Sequence, residues 1–463
     1  MSQTIQKSGF LNQPPYPIKS EKVPPSGEKK FSIKNLALRG SIWSLGGFGA
    51  SNIIRLSGNL VLTRLLFPEA FGIMALIEMV MHGVQMVSDL GIAAGIISHP
   101  KGEDRHFLNT AWTLQVIRGC CLWLITCIIA YPASTIYDAP ILLKLLPFTG
   151  LSALMNGFNS IGVILLRRRI NIKPLVIWET ISQVLGLLCM ICLAWYLRSV
   201  WALALGSVFR MTVAMISSQF LISRVKIKFE WNRSAVHELV RFGKWIFLGT
   251  AVTFIINQGD RALLGLYVTK QVLGLYAIAT VWSRMGVLAL NRLNAQVLLP
   301  LYSAIVKGTD HQLRDSVYKI RLRLAMVFVP LAWVLSIFGQ RIIDMLYDGR
   351  YADAGWMLQV LAIGGIGMTI TATSSGVLLA AGDSFRHMVF QVTRSVVLVA
   401  SIILGAYFGG TKGLIICVTI SRFLDYPVLV WAIKRYGVWL PYLDTAILSL
   451  STVALFAGHL LLN

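Results

Sequence analysis

Two short stretches of an otherwise apolar chain carry polar side chains at helical spacing. Glu78, His82, Gln85 and Asp89 fall at i, i+4, i+7 and i+11, one narrow face of a helix. Asn52, Arg55, Asn59 and Thr63 repeat the pattern at i, i+3, i+7 and i+11. Further on, Asn257, Asp260 and Arg261 make a polar turn, and Arg284 and Asn291 share a helical face that Arg292 follows. Guanidinium groups bind paired oxyanion oxygens through a planar fork of donors, so arginine in apolar surroundings suits phosphate. Arg55, Arg284 and Arg292 have no acid nearby in sequence and are the leading anion ligands. Arg261, Arg118, Arg210, Arg394, Asn52, Asn59 and Asn291 complete the candidate cleft. Glu78 and His82, one turn apart in a low dielectric, have the chemistry to titrate near neutral pH. With Asp89 and Asp260 they are the candidate ion-coupling groups; a shared structural hydrogen bond between Glu78 and His82 is the other reading. No catalytic constellation and no metal set emerges. Cys189 and Cys192 have metal-type spacing but only apolar neighbours, and all six cysteines read as small apolar residues. Gly46-Gly47-Phe48-Gly49 lies within an apolar segment, where it cannot act as a phosphate-cradling loop.

The elements that hold these residues are membrane helices. The chain has 463 residues, 56% hydrophobic and 13% charged, against about 25% charged in soluble domains. Its formal net charge is nevertheless +22, with a mean hydropathy of +0.68. That pairing excludes a disordered basic tail, a histone-like protein and an ordinary soluble enzyme. Stretches long enough to span lie at 40–63, 70–91, 108–131, 141–166, 174–197, 200–223, 245–268, 273–299, 324–340, 356–381, 387–409, 413–433 and 443–462. Backbone groups in lipid must be satisfied within the segment, so the expected class is an all-α polytopic membrane protein. With the N-terminus inside, most Lys and Arg fall in residues 1–39 and in loops near 101–105, 167–173, 224–244, 307–323, 382–386 and 434–435. Basicity is therefore chiefly topological, and no nucleic-acid partner is expected. Residues 1–35 read as a disordered basic cytoplasmic tail whose lysines could touch anionic lipid headgroups, and which carries no signal-peptide core.

Eight intramembrane arginines facing lipid would cost roughly 20–28 kcal/mol on insertion scales, so they should face partners, water or substrate. Arg422 and Asp425, at i and i+3, are expected to neutralise each other. Glu179 and Arg210, on consecutive helices, are a candidate ion pair, Lys144 should snorkel, and Arg118 and Arg394 are either cavity-lining or paired. Cations still outnumber acids within the segments, which favours an anionic substrate.

An internal duplication organises the helices. A shift of 202 residues brings Arg39 onto Arg241, Trp43 onto Trp245, Gly47 onto Gly249, Leu62 onto Leu264, Gly72 onto Gly274 and Ala75 onto Ala277. A slightly larger shift sets Ser160, Gly162, Val163 and Leu165 on Ser374, Gly376, Val377 and Leu379. Six helices separate the copies, so both halves enter from the same side, and such parallel repeats usually place a site between them at mid-depth. The expected division is a six-helix lobe at 36–224, a cytoplasmic linker at 225–244, a second six-helix lobe at 245–435 and an additional helix at 443–462.

Leu66-Phe-Pro-Glu-Ala-Phe-Gly72 and Ser88-Asp-Leu-Gly-Ile92 resemble the start of bacterial polysaccharide-lipid flippases of the Wzx type, nearest the exopolysaccharide, colanic-acid-like and teichuronic-acid-like branch. Asp260-Arg-Ala-Leu-Leu-Gly265 and Leu273-Gly-Leu-Tyr-Ala277 are similar to the start of that family's second half. The resemblance covers about residues 36–435. It implies the multidrug/oligosaccharidyl-lipid/polysaccharide exporter superfamily, two lobes in a V, and about 12–14 transmembrane helices in the bacterial inner membrane. Also implied is flipping of an undecaprenyl-pyrophosphate-linked oligosaccharide for exopolysaccharide or lipopolysaccharide synthesis. No cofactor beyond an ion gradient, H+ or Na+, is expected, and a polysaccharide polymerase and chain-length proteins are candidate partners. The family usually has twelve or fourteen helices where thirteen segments are counted here, so either the C-terminus is periplasmic or 443–462 does not span fully. The alternatives are a multidrug-type cation antiporter, which buried arginine disfavours, and a membrane polymerase or acyltransferase, for which the external loops are short.

Overall fold

The structure is a computed structural model that describes residues 33–87, 92–99, 102–221, 228–299, 301–303 and 313–462. The N-terminal tail through 32 and Asp89 with its flanking motif lie outside the described residues. Among those described, the chain forms helices and the turns between them, with no strands. The first half comprises α1 (Ile33–Leu65), α2 (Pro68–Val87), α3 (Ile92–Ser98), α4 (Arg105–Ile136), α5 (Leu142–Gly157), α6 (Gly162–Arg168), α7 (Ile172–Leu197) and α8 (Val200–Leu221). The second comprises α9 (Arg233–Tyr267), α10 (Lys270–Ser283), α11 (Met285–Leu293), α12 (Leu313–Leu346), α13 (Ala354–Ala380), α14 (Ser384–Leu424), α15 (Tyr426–Lys434) and α16 (Pro441–Leu462).

Each of the thirteen apolar stretches falls on a helix or on a pair of helices joined by a bend. By length and composition, seven described helices can cross a membrane, or nine if each of two bent pairs is one span. The chain is a multi-pass membrane protein. Two features explain why this count is below thirteen. Helices α1 and α2 carry polar residues of the candidate site, which lower their hydropathy, and the side chains of α9 are described over only part of its length. The run Ser384–Lys434 is 51 residues long, roughly 75 Å at the α-helical rise, and serves as two stretches in one. It breaks at Gly410, whose φ of 52° and ψ of −140° only glycine adopts without strain. There the chain doubles back: a Cβ on Gly405 would lie 2.7 Å from the carbonyl oxygen of Gly413, and the reverse holds equally.

Three expectations need correction. Stretch 141–166 is two helices, α5 and α6, meeting at 61°. Stretch 273–299 bends by 45° between α10 and α11 at Arg284, then continues as a π turn over Asn294–Leu298. Arg284 stands at the bend itself, as the N-cap of α11, where its carbonyl accepts from the Leu288 N–H at 2.8 Å. Finally, the expected linker 225–244 is helical from Arg233, because α9 runs 35 residues.

Packing brings the halves together along α2. It lies against α10 and α9, while α1 lies against α7 and α9 against α14. At the α2–α10 crossing two glycines remove the side chains. A Cβ on Gly72 would sit 1.9 Å from the carbonyl oxygen of Lys270, and one on Gly274 would sit 1.9 Å from that of Pro68. The contact is reciprocal under the same 202-residue shift found in the sequence.

The connections define two faces. One bears Arg105, Arg167, Arg168, Arg169, Lys173, Lys228, Arg233, Arg386, Lys434 and Arg435 and is called the basic face. On the opposite face, the turn between α12 and α13 reaches across to the other half. Arg350 Nη2 donates to the carbonyls of Thr63 and Arg64 at 3.2 and 3.1 Å, at the C-terminus of α1. Asp348 holds the same guanidinium, which also lies 4.8 Å from the Phe67 ring centroid. Tyr351, fully buried, donates its hydroxyl to the Leu66 carbonyl at 2.9 Å, and Lys270 Nζ donates to the Tyr137 carbonyl.

Candidate functional site

The predicted site residues separate into three groups. The first lies where the halves meet. Glu78 on α2 pairs with Arg261 on α9 at 3.4 Å, so the carboxylate's partner is an arginine of the other half. No hydrogen bond joins it to His82 among the described residues, and both Glu78 and His82 are exposed. On α1, Arg55 is exposed and donates to Asn52 Oδ1 at 2.8 Å, while Asn52 donates to the Phe48 carbonyl at 2.8 Å. The α1 stripe thus braces itself along its own helix and presents the Arg55 head outward. Asn59 is half-buried and Asn291 exposed. Arg292 reaches α1 from α11, donating to Ser44 Oγ at 3.0 Å and lying 5.0 Å from the Phe48 ring centroid. It thus makes a contact between the halves and has no acidic partner among the described residues.

The second group is buried in the second half. Asp260 is completely buried and accepts from Tyr276 Oη at 2.7 Å, from the Arg261 backbone N–H at 2.9 Å and from Arg284. Arg284 also donates to the Asn257 carbonyl at 3.2 Å. The expectation that Arg284 had no acid was a limit of sequence proximity, since its partner lies 24 residues away on the preceding helix. Asp425 likewise takes Arg394, at 3.5 Å, in place of Arg422, its expected neighbour at i−3. Arg422, 6% exposed, faces a small cavity beside Asp260 and Arg284. Charge and hydrogen-bond partners here are supplied by side chains that sequence order scatters over α9, α10 and α14.

The third group lines a cavity of about 520 Å³ inside the first half. Arg118 from α4 and Arg210 from α8 face it, and Arg118 Nη2 donates to the Gln85 carbonyl at 3.1 Å. Arg167, in the last turn of α6 at the basic face, pairs with Glu179 at 3.3 Å. The expected Glu179–Arg210 pair is thereby corrected, although both residues border the same space. Gln115, Asn156 and Asn159 add amide groups to the wall. These three were not anticipated, because 141–166 reads as one continuous helix although Asn156-Gly157, Ser160 and Gly162 mark the bend between α5 and α6. Arg167 was read as a loop cation, yet it belongs to the lining. The described residues contain no group of three His, Cys, Asp or Glu side chains that could hold a metal ion.

The arrangement offers surplus guanidinium donors inside an apolar shell. Among the described residues, each carboxylate at the three sites is engaged by arginine: Glu78, Asp260, Asp425 and Glu179. Arg55, Arg210 and Arg422 make no ion pair with them among the described residues, which leaves net positive charge facing cavities. Such surroundings attract anions and weaken cation binding.

Comparison with known proteins follows the same direction. The family model described as "Polysaccharide biosynthesis protein" matches residues 61–355. The succinoglycan biosynthesis transport protein ExoT of Rhizobium meliloti is 22% identical over 381 residues, covering 81% of this chain and 75% of the relative. The lipopolysaccharide biosynthesis protein WzxC of Escherichia coli is 20% identical over 449 residues, covering 93% and 90%. Among solved structures, the lipid II flippase MurJ in an inward closed conformation superposes with a TM-score of 0.70 at 15% identity, over 90% of this chain and 92% of that one. An inward-facing multidrug resistance transporter of the MATE family gives 0.62 at 14% identity, over 86% and 99%. These two similarities establish the fold.

Proposed function

Because this chain belongs to the polysaccharide biosynthesis protein family, we propose that it is a transporter that moves a lipid-linked oligosaccharide across a membrane. The substrate is an undecaprenyl-pyrophosphate-linked repeat unit for exopolysaccharide or lipopolysaccharide assembly. One observation carries this reading. Arginines in excess of their carboxylate partners line the 520 Å³ cavity and the junction between the halves. A pyrophosphate supplies the missing negative charge and the paired oxygens that guanidinium forks recognise. Gln115 Nε2 and Asn159 Nδ2 are spent within the wall, which leaves the Asn159 amide oxygen, without a partner among the described residues, as an acceptor for a sugar hydroxyl.

With the basic face cytoplasmic, as cation bias favours, the cavity extends to Arg167 on the side where lipid-linked precursors load. Contacts of Arg350, Tyr351 and Lys270 close the opposite face. Alternating access follows if those contacts exchange for others when the halves rock. An ion gradient drives the exchange, with Glu78 and His82 as coupling groups; a polymerase and chain-length proteins use the delivered unit.

The decisive experiment depletes the protein in its host and labels lipid-linked oligosaccharide by leaflet. Accumulation on the cytoplasmic leaflet is expected. Normal export without accumulation would overturn the reading.

A further inference from the structure

Three guanidinium groups and two carboxylates meet in the second half, nearly enclosed. Asp260 is saturated by Tyr276, Arg284 and a backbone N–H, and Asp425 pairs with Arg394. These two pairs balance their charges. Arg422 remains: it is 6% exposed, and no hydrogen bond or ion pair reaches its side chain among the described residues. A guanidinium has five donors and does not lose its proton in proteins. Asp260 and Asp425 lie within electrostatic reach of it, but each is already engaged by another arginine, so the cluster keeps a positive surplus that an anion would neutralise.

The space beside it fits one. Arg422, Arg284, Asp260, Thr280, Ser283 and Thr419 border a cavity of about 20 Å³, in which the Asp260 carboxylate is already neutralised by Arg284. A single water needs roughly 10–15 Å³ by the same measure, so there is room for one species slightly larger than water and none for a diphosphate. The hydroxyls are already committed, Thr280 to the Tyr276 carbonyl at 2.6 Å and Thr419 to the Ile415 carbonyl at 3.2 Å. Arg422 therefore supplies the recognition. Gly364 keeps the wall thin, since a Cβ there would approach Arg422 Cγ to 3.4 Å.

We propose that this cavity is a halide site, in which one chloride-sized anion binds against Arg422 and neutralises the third guanidinium of the cluster. Bound ion holds α14 against α10 and α13 by bridging charge that no side chain balances. The proposal is independent of the transported substrate, because its readout is ion binding.

The test uses the purified full-length protein in detergent, titrated with sodium chloride or sodium bromide against sodium gluconate at constant ionic strength. Halide should raise the unfolding temperature saturably by about 2–5 °C. Arg422→Gln should abolish the response, whereas Arg55→Ala should retain it. If Arg422→Gln does not fold, wild-type crystals soaked in bromide decide the matter through anomalous scattering, expected beside Arg422. An equal effect of gluconate, a halide response lost in Arg55→Ala, or bromide only in the cleft between the halves would each overturn the proposal. So would ordered water alone in the cavity.

Discussion

Asp260 and Arg55 show why two polar residues in one apolar chain call for opposite outcomes on substitution. Asp260 is buried with three donors, one of them the charged Arg284. Asp260→Asn keeps the shape and removes the counter-charge, leaving Arg284 desolvated beside Arg422. Breaking one side of a buried pair costs about 3–5 kcal/mol, and lower abundance with a depressed unfolding temperature is expected. Arg284→Ala should likewise reduce abundance. Arg55 is exposed and bonded only to Asn52 among the described contacts, so Arg55→Ala should leave abundance intact and reduce export of lipid-linked oligosaccharide. Both are read by quantitative immunoblot beside a leaflet-resolved lipid assay; equal abundance loss in both would make Arg55 structural. Glu78 stands between these cases, half exposed and paired to Arg261 across the halves. Glu78→Gln should flatten the dependence of transport on external pH, measured in vesicles with an imposed gradient. An unchanged profile would remove Glu78 from coupling.

At the scale of elements, close approach and capping control how helices meet. Gly274→Val places atoms where the Pro68 carbonyl already lies, only 1.9 Å from the new Cβ, and backbone cannot yield as a flexible side chain does. The variant should separate α2 from α10 and lower the yield of a disulfide engineered across that crossing, relative to the glycine parent. This contact was partly legible in sequence: Gly72 and Gly274 aligned in the duplication, and the thirteen helical stretches stood out because lipid demands long apolar runs. What sequence order could not reveal was partnership across turns. Asp260 finds Arg284 because α10 returns beside α9, and Asp425 prefers Arg394 over the nearer Arg422 because α14 folds back at Gly410. The connection before α9 shows the same principle outside the membrane. Glu230 accepts from Asn109 at 2.8 Å and meets His106 at 2.5 Å, fastening the segment ahead of α9 to α4. The hydrogen bond to Glu230, then its charge, raises the His106 pKa above 6.5, so that contribution is complete below 6.5 and fades as pH rises through the raised value. Hydrogen bonds from Asn109 and then His106 lower the Glu230 pKa below 4.5, so its contribution is present above 4.5 and fades as pH falls through the lowered value. Docking should be firmest between those limits. Protection of the amides of residues 228–236, relative to their intrinsic exchange at each pH, should be greatest near pH 5–6 and fall above it, a dependence that His106→Ala removes.

For the whole molecule, the proposed alternating access needs one face held closed while the cavity opens to the other. Beside the apolar packing of α2 on α10, a few polar contacts join the halves at that face. Arg350 caps two carbonyls at the end of α1, where the helix dipole favours a cation, and Asp348 holds its fork in place. Tyr351 ties the same turn to Leu66, and Phe71 meets its ring edge-on with centroids 6.1 Å apart. Because Asp348 and Arg350 are partly exposed, water can replace these bonds at modest cost, as the proposed alternating access requires of contacts at this face. Coupling between halves is then a balance of a few kcal/mol, within reach of a ligand that binds one arrangement better. Arg350→Ala removes the two hydrogen bonds to the Thr63 and Arg64 carbonyls and leaves the helices untouched. It should shift the population toward the state open at that face, seen as a longer distance between spin labels at Phe67 and Ala352 in the full-length protein. Tyr351→Phe, which loses only the bond to Leu66, should move the distribution in the same direction and less far. Unchanged distances in both variants would mean that apolar packing of α2 on α10, with Gly72 and Gly274 at its centre, closes the face unaided.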